Sequence, residues 1–484
     1  MKNVLNHEIP FEKFFEEISR IPRGSGNEAA VADYLVAFAE ERGLWVHRDA
    51  LHNVIIKKPG TGAGKDKAPL MLQCHSDMVC VKLPGCTHNF ETDPIPFVLD
   101  GSILRADGTT LGADNGTGMA NILTILDAEG LEHPPIEGVF TTSEEVGMFG
   151  AQALDYSLLE AKRMIGLDSG GENVGSVNAA GYEQIKITKS YAEETACGSA
   201  VEVVISGLRG GHSGTRIHQE RANGIKLMAD LLQTLKNKKI GLRLVSMEAG
   251  QVTNAIPDGC TAVFLTEQPE ETLEVIASYT AALQKTLEDT EPDLQIRAIK
   301  LAASPEGLEA LSRKATGEVI DLLLMLPSGL LAKSMEIPDF TLASANVAIV
   351  SLQQGKLKVD ISCRAAEEFR LDLVENQILA CARVLGMEAA AADRSPCWEY
   401  EKDSKLRAQA SDLMEKEWGV PFVPKFTHGG LECGYFAKNI PGLDICCIGP
   451  RCGDAHGPKE WLDLESCKKV CAFFRKLLTA LANE

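Results

Sequence analysis

Short apolar runs that each end on a histidine or a carboxylate restrict this chain more than any other feature. Leu70 to Cys74 leads into His75 and Asp77, Gly138 to Ser143 into Glu144 and Glu145, and Met164 to Leu167 into Asp168. Runs of this length bounded by turn formers read as buried strands. In an open α/β sheet the carboxyl ends of the strands form the crevice where ligands collect, so these residues are expected to converge on one edge. Asp114, in the tight turn Gly112-Ala113-Asp114-Asn115-Gly116, and His456, in Asp454-Ala455-His456-Gly457-Pro458, complete the series. Two imidazoles with several carboxylates suit a catalytic divalent metal such as zinc, manganese or cobalt, whereas four thiolates would have suited a structural zinc.

Each residue taken singly has a plainer use. His75-Ser76-Asp77 could stabilise a turn through side-chain hydrogen bonds, or Asp77 could orient His75 as a metal ligand. Asp114 could cap a helix, Asp168 a loop, and His456 could be solvated. Glu144 and Glu145 are harder to assign this way, because adjacent carboxylates after an apolar strand repel unless a cation or proton lies between them. One would bind metal while the other takes a proton.

With 484 residues, 45% of them hydrophobic, the chain can bury a core in each of two or three domains. A formal net charge of -20 repels phosphates and argues against nucleic acid or an anionic membrane as partner. Neither an apolar leader in Met1 to Phe15 nor an uninterrupted 18-residue apolar stretch is present, so a cytoplasmic protein is expected. The 14 cysteines include no Cys-x-x-Cys pair and several lie in apolar runs, which reads as free thiols.

Three segments are expected. Residues 1–186 alternate helix and strand patterns, with helices over Ala29 to Arg42 and about Gly116 to Glu129, and form the first part of a catalytic domain. Residues 187–395 change character, with longer helices over Arg221 to Lys236, Leu273 to Glu288 and Glu306 to Leu326, and read as an inserted domain. Residues 396–484 return to the first pattern, with a strand over Leu443 to Gly449 and a closing helix over Leu464 to Leu481. Val252-Thr253-Asn254-Ala255-Ile256 and Ser344-Ala345-Asn346-Val347-Ala348 both place Asn in a strand-like run, a short signal for duplication inside the insert.

Several segments carry a resemblance that spans nearly the whole chain. They are Leu72 to Cys80, Gly108 to Gly116, Ser143 to Met148, Gly210-Gly211-His212-Ser213-Gly214 and His428-Gly429-Gly430-Leu431-Glu432-Cys433-Gly434. The chain resembles the dizinc metallopeptidases that include aminoacylase, glutamate carboxypeptidase and carnosinase, and within them the Xaa-His dipeptidase branch. The resemblance implies an α/β catalytic domain with a central mixed sheet flanked by helices, plus an inserted α+β lid. It implies two divalent ions, zinc first with cobalt or manganese as alternatives. Asp114 would bridge them, with His75 and Asp168 on one ion and Glu145 and His456 on the other.

Glu144 would be the general base for a metal-activated water, Asp77 would orient His75, and the peptide bond after Asp114 would be cis. His212 would polarise the scissile carbonyl. Arg364, with Asn254 or Asn346, would hold the substrate carboxylate, and Gly430 and Glu432 would line the substrate site. The implied activity is hydrolysis of Xaa-His dipeptides, including β-alanyl-histidine, with a homodimer through the lid compatible with it. Residues after Asp168, namely Ser169-Gly170-Gly171-Glu172, depart from the acidic continuation usual in that branch, and Val81 and Leu83 differ from the more polar residues common after the first motif. A tripeptidase or carboxypeptidase, or an N-acyl amino acid deacylase, would use the same centre. A non-catalytic metal-binding interaction protein would not need Glu144.

Overall fold

A computed structural model describes residues 3–302 and 307–484. The chain forms two compact units: Met1–Asn178 with Tyr400–Phe426 and Leu431–Glu484, and Ala179–Glu399 with Thr427–Gly430. The second is therefore inserted into the first.

The first unit is built on a six-stranded mixed sheet in the order Trp45–Arg48, Val54–Lys58, Ile136–Thr141, Leu70–His75, Arg163–Gly166, Asp444–Cys447. The last four strands in that order run parallel to one another. Leu70–His75 is buried along its whole length, as a central parallel strand covered on both faces must be. Helices supply the cover. In the closing helix Leu464–Ala482, Cys467, Val470, Phe473, Phe474, Leu477, Leu478 and Leu481 repeat at helical spacing and are all buried, and Asp463 caps its start by accepting from Glu465 N at 3.0 Å. Phe11, Phe14, Phe15, Leu72, Ile122 and Phe140 share that core. Helix Ala113–Asp127 lies close on the central strand because Gly118 has no side chain: a Cβ there would stand 2.6 Å from Cys74 Cβ.

The inserted unit carries a nine-stranded antiparallel sheet whose middle strands are Thr341–Gln353, Lys356–Ala365 and Gly181–Ser190. Ile185, Val203, Leu232, Phe264, Val319, Ile361 and Ile378 form its core. Gly181–Ser190 pairs with both Lys356–Ala365 and Glu388–Ser395, so the change of unit precedes the expected residue 187.

Other expected bounds also shift for local reasons. The helix expected from Arg221 starts at Gly224, because Asn223 accepts from Ile225 N and Lys226 N. The helix expected from Glu306 starts at Arg313: Leu308–Leu311 is a strand paired with Glu193–Ala196, and Ser312 caps the helix. Glu306 itself lies outside the described residues. The two Asn segments are not equivalent, since Asn254 sits in a turn and Asn346 inside a 13-residue strand.

Candidate metal centre

The four parallel strands deliver the expected residues to one edge. His75 ends its own strand, Glu144 and Glu145 follow Ile136–Thr141, Asp168 follows Arg163–Gly166, and the loop containing His456 follows Asp444–Cys447. Asp114 comes from the first turn of Ala113–Asp127, where the backbone leaves helical geometry and the Asp114–Asn115 peptide bond is cis.

Among the described residues, three groups hold ligand atoms within 4.8 Å of one another: His75, Asp114 and Asp168; Asp114, Glu145 and His456; and His75, Glu144 and Glu145. Asp114 belongs to two of them. Its Oδ1 lies 3.0 Å from His75 Nε2 and its Oδ2 3.3 Å from His456 Nε2, while His456 Nε2 also lies 3.1 Å from Glu145 Oε2. Distance alone does not separate Glu144 from the ligand set, because it too groups with His75.

Asp77 is fully buried. Its carboxylate accepts from Ser25 Oγ at 2.7 Å and from the backbone N–H groups of Glu144 and Glu145 at 3.1 and 3.3 Å, and lies 3.4 Å from His75 Nδ1. One carboxylate thereby ties the His75 strand to the Glu144-Glu145 turn. Burial raises its pKa, but the His75 interaction, Ser25 and the Glu144 N–H bring it down to about 2.

The cluster is overcharged with acid. Burial and then Asp114 push the Asp168 carboxyl up to about 7. Burial, with Asp168, Glu432 and Glu145 nearby, holds the Glu144 carboxyl well above the usual range against the opposing effect of His75. The same carboxylates draw protons onto the imidazoles: hydrogen bonds to Asp114 and Glu145 raise His456 to about 10, and Asp114 and Asp77 overcome burial to raise His75. Glu145 Oε1 is buried without a hydrogen-bond partner among the described residues. Mixed imidazole and carboxylate donors, an orphaned buried oxygen and an excess of negative charge fit divalent cations.

The other expected site residues lie in the inserted unit, except Glu432. His212 is half-buried, and its Nδ1 accepts from Gly214 N and Thr215 N, both at 3.1 Å, so the neutral ring carries its proton on Nε2. Arg364 is buried over the Tyr182 ring, its Nε has no partner, and among the described residues no carboxylate lies within ion-pair distance of it. His428, whose Nε2 lies 2.7 Å from Ser344 Oγ, is kept neutral by burial and then by Arg364, with a pKa of about 3.

Two of the expected residues engage partners distant in sequence. Asn346 is buried with its amide committed, Nδ2 donating to Ala255 O at 2.7 Å and Oδ1 accepting from Asn223 at 3.2 Å, which leaves exposed Asn254 as the free amide. Glu432 is buried inside the first unit: its Oε2 accepts from Gln73 Nε2 and Thr141 Oγ1, both at 2.6 Å, and its Oε1 has no partner among the described residues. Gly430 is a half-buried loop residue of the inserted unit.

Sequence reasoning passed over Ser25, and also Glu28, which accepts from Ser143 N at 3.0 Å beside the acidic pair. Both sit in the Gly24–Glu28 segment, whose Ser, Gly and Asn residues read only as a loop.

A model of peptidase family M20/M25/M40 matches residues 71–480. The cytosol non-specific dipeptidase of Escherichia coli (strain K12) is 31% identical over 481 residues, covering 98% of this chain and 97% of that protein. The crystal structure of aminoacylhistidine dipeptidase from Vibrio alginolyticus superposes with a TM-score of 0.89 at 31% identity, covering 99% of this chain and 97% of that one. A tripeptidase from Staphylococcus aureus, 14% identical with a TM-score of 0.56 over 99% of this chain and 100% of that one, shares the fold.

Proposed function

The chain belongs to peptidase family M20/M25/M40 and is a metal-dependent peptide-bond hydrolase, and we propose that it is a cytoplasmic dipeptidase working through two divalent cations. The observation that carries this reading is the double engagement of Asp114, whose two oxygens face different histidines. In the proposed assignment Asp114 is shared, His75 and Asp168 complete one cation site, and Glu145 and His456 the other, with zinc the first choice of metal. Bound cations supply Lewis acidity that polarises the scissile carbonyl and eases deprotonation of water near neutral pH.

The chain's own groups do the rest. Glu144 takes a proton from the attacking water and returns it to the leaving amine nitrogen; a carboxyl whose pKa is raised is suited to both transfers. Asp77 holds the His75 ring through Nδ1. His212 offers its Nε2–H to the developing oxyanion. Arg364 receives the substrate carboxylate by paired, charge-assisted hydrogen bonds, and Asn254 shares the substrate-binding role; the buried Arg364 guanidinium, with no acidic partner among the described residues, supports this. Dipeptides ending in histidine, β-alanyl-histidine among them, are the proposed substrates, and their histidine preference rests on the family likeness.

A panel of di-, tri- and N-acyl substrates tests the reading. Free dipeptides are expected to be cleaved best, C-terminal amidation should lower kcat/KM strongly, and Arg364→Ala should erase most of that sensitivity. Efficient cleavage of long peptides, or equal sensitivity to amidation in both proteins, would overturn it.

A further inference from the structure

Behind the carboxylates, a buried arginine and a buried glutamate grip one turn from opposite sides. Arg23 is 1% exposed, among the most enclosed large side chains of the protein. Its Nη1 donates to Ser76 O at 3.1 Å and Asp77 O at 3.0 Å, and its Nη2 donates to Gly112 O at 2.5 Å. The guanidinium therefore spans the segment that follows His75 and the turn that precedes Asp114. Two glycines make room for it: a Cβ at Gly112 would stand 2.6 Å from Nη2, and one at Gly116 2.7 Å.

Glu460 holds the other side of the same turn. Its Oε2 accepts from Leu111 N at 2.7 Å and Gly112 N at 2.9 Å, and its Oε1 accepts from Asp114 N at 3.1 Å. Carbonyl oxygens of the turn and of the His75 loop meet the cation, and amide N–H groups of the turn meet the anion. Gly112 adopts φ +71°, which presents its carbonyl and its N–H to these two partners. Glu460 lies four residues beyond His456 and is placed by the strand Trp461–Asp463, which pairs with Ile103–Ala106.

Burying two charges is costly for a fold that only needs a stable turn, since apolar packing of the same volume serves stability as well or better. What the pair adds is geometry. Fork-shaped donors on three carbonyls and a bidentate acceptor on three amides fix the Asp114 backbone relative to the His75 loop within hydrogen-bond tolerance. Neither side chain reaches the ligand atoms.

We propose that Arg23 and Glu460 are positioning residues that set the spacing of His75 and Asp114, and through it the ability of the cluster to hold two cations at once. This rests on the two-cation reading above. In the experiment, chelator-stripped wild type, Arg23→Lys and Glu460→Gln are titrated with Co2+, following bound ions by calorimetry and visible absorption, with kcat and KM on a dipeptide.

Wild type should take two Co2+ per chain. Each variant should lose about 10–100-fold in affinity for at least one of them, the range seen when supports behind metal ligands are removed. The Co2+ absorption bands should change shape, and kcat should fall while KM stays within about threefold. Lys keeps the charge but not the fork, so a spectrum and affinity like wild type in Arg23→Lys would overturn the proposal. If Arg23→Lys does not fold, Glu460→Gln decides alone: two ions bound with unchanged affinity and bands would overturn it. A wild type that binds a single Co2+ at full turnover would instead defeat the two-cation reading beneath it.

Discussion

Replacing Asp77 by Asn tests how much one buried carboxylate contributes to both stability and metal binding. In the cation-free protein the Asp77 carboxyl sits at about 2 against an ordinary 3.8. A lowered acid contributes stability that is full above its unfolded pKa and is lost as pH falls through its folded pKa, so at neutral pH the whole contribution is present. It amounts to about 2 kcal/mol. Asn adds a second cost. Oδ1 accepts from Glu144 N and Oδ2 from Ser25 Oγ and Glu145 N, so whichever way the amide turns, its NH2 faces a backbone N–H.

That unmatched buried donor costs about 1–3 kcal/mol more. The sum predicts a fall in Tm on the order of 10 °C for the melting of the catalytic unit in chelator. Loss of the His75 support should also weaken Mn2+ or Zn2+ binding by about 10–100-fold. Calorimetric melting of the stripped protein and metal titration read the two effects separately. A Tm within about 2 °C of wild type together with unchanged metal affinity would refute the reasoning.

The remaining outcomes concern the cluster itself. Glu144→Gln should keep its metal content and lose about 10²–10⁴ in turnover, since the amide cannot accept the proton of water; near-normal turnover would remove Glu144 as base. His456→Ala should weaken metal binding, read as added chelator sensitivity, and an unchanged metal affinity would take His456 out of the ligand set. Asp168 at about 7 and His456 at about 10 hold protons in the folded, cation-free state that the unfolded chain releases at lower pH, so their stabilisation fades as pH rises. Cations displace those protons, so the Tm gain on adding Mn2+ should grow from about pH 5.5 to about pH 8.5, and a gain that shrinks over that range would contradict the linkage.

The strand-end pattern was readable because a parallel strand buried on both faces has to be a continuous apolar run, and the residue after it has to emerge at the sheet edge. His75, Glu144, Glu145 and Asp168 were placed at that edge by this pattern alone, while Asp114 and His456 joined the series from their turn motifs and took their roles at the two cations from the family likeness. The unit boundary was blurred because Gly181–Ser190 belongs to the insert through pairing with strands more than 150 residues away, and pairing of that kind leaves no local mark. The engagement of Asn346 with Asn223 and Ala255, and of Glu432 Oε2 with Gln73 and Thr141, was not legible because those partners are distant in sequence. Arg23 reads in Ile21-Pro22-Arg23-Gly24-Ser25 as an ordinary loop arginine, and only the glycines at 112 and 116, packed against it, reveal its place.

The most direct test of the dinuclear account is the number of ions bound per chain at full activity, measured by elemental analysis as Zn2+ is returned to stripped protein while dipeptide hydrolysis is followed. Turnover should reach its plateau only when a second ion is bound per chain and disappear again in chelator. Full turnover with one ion per chain, or hydrolysis indifferent to chelation, would contradict it.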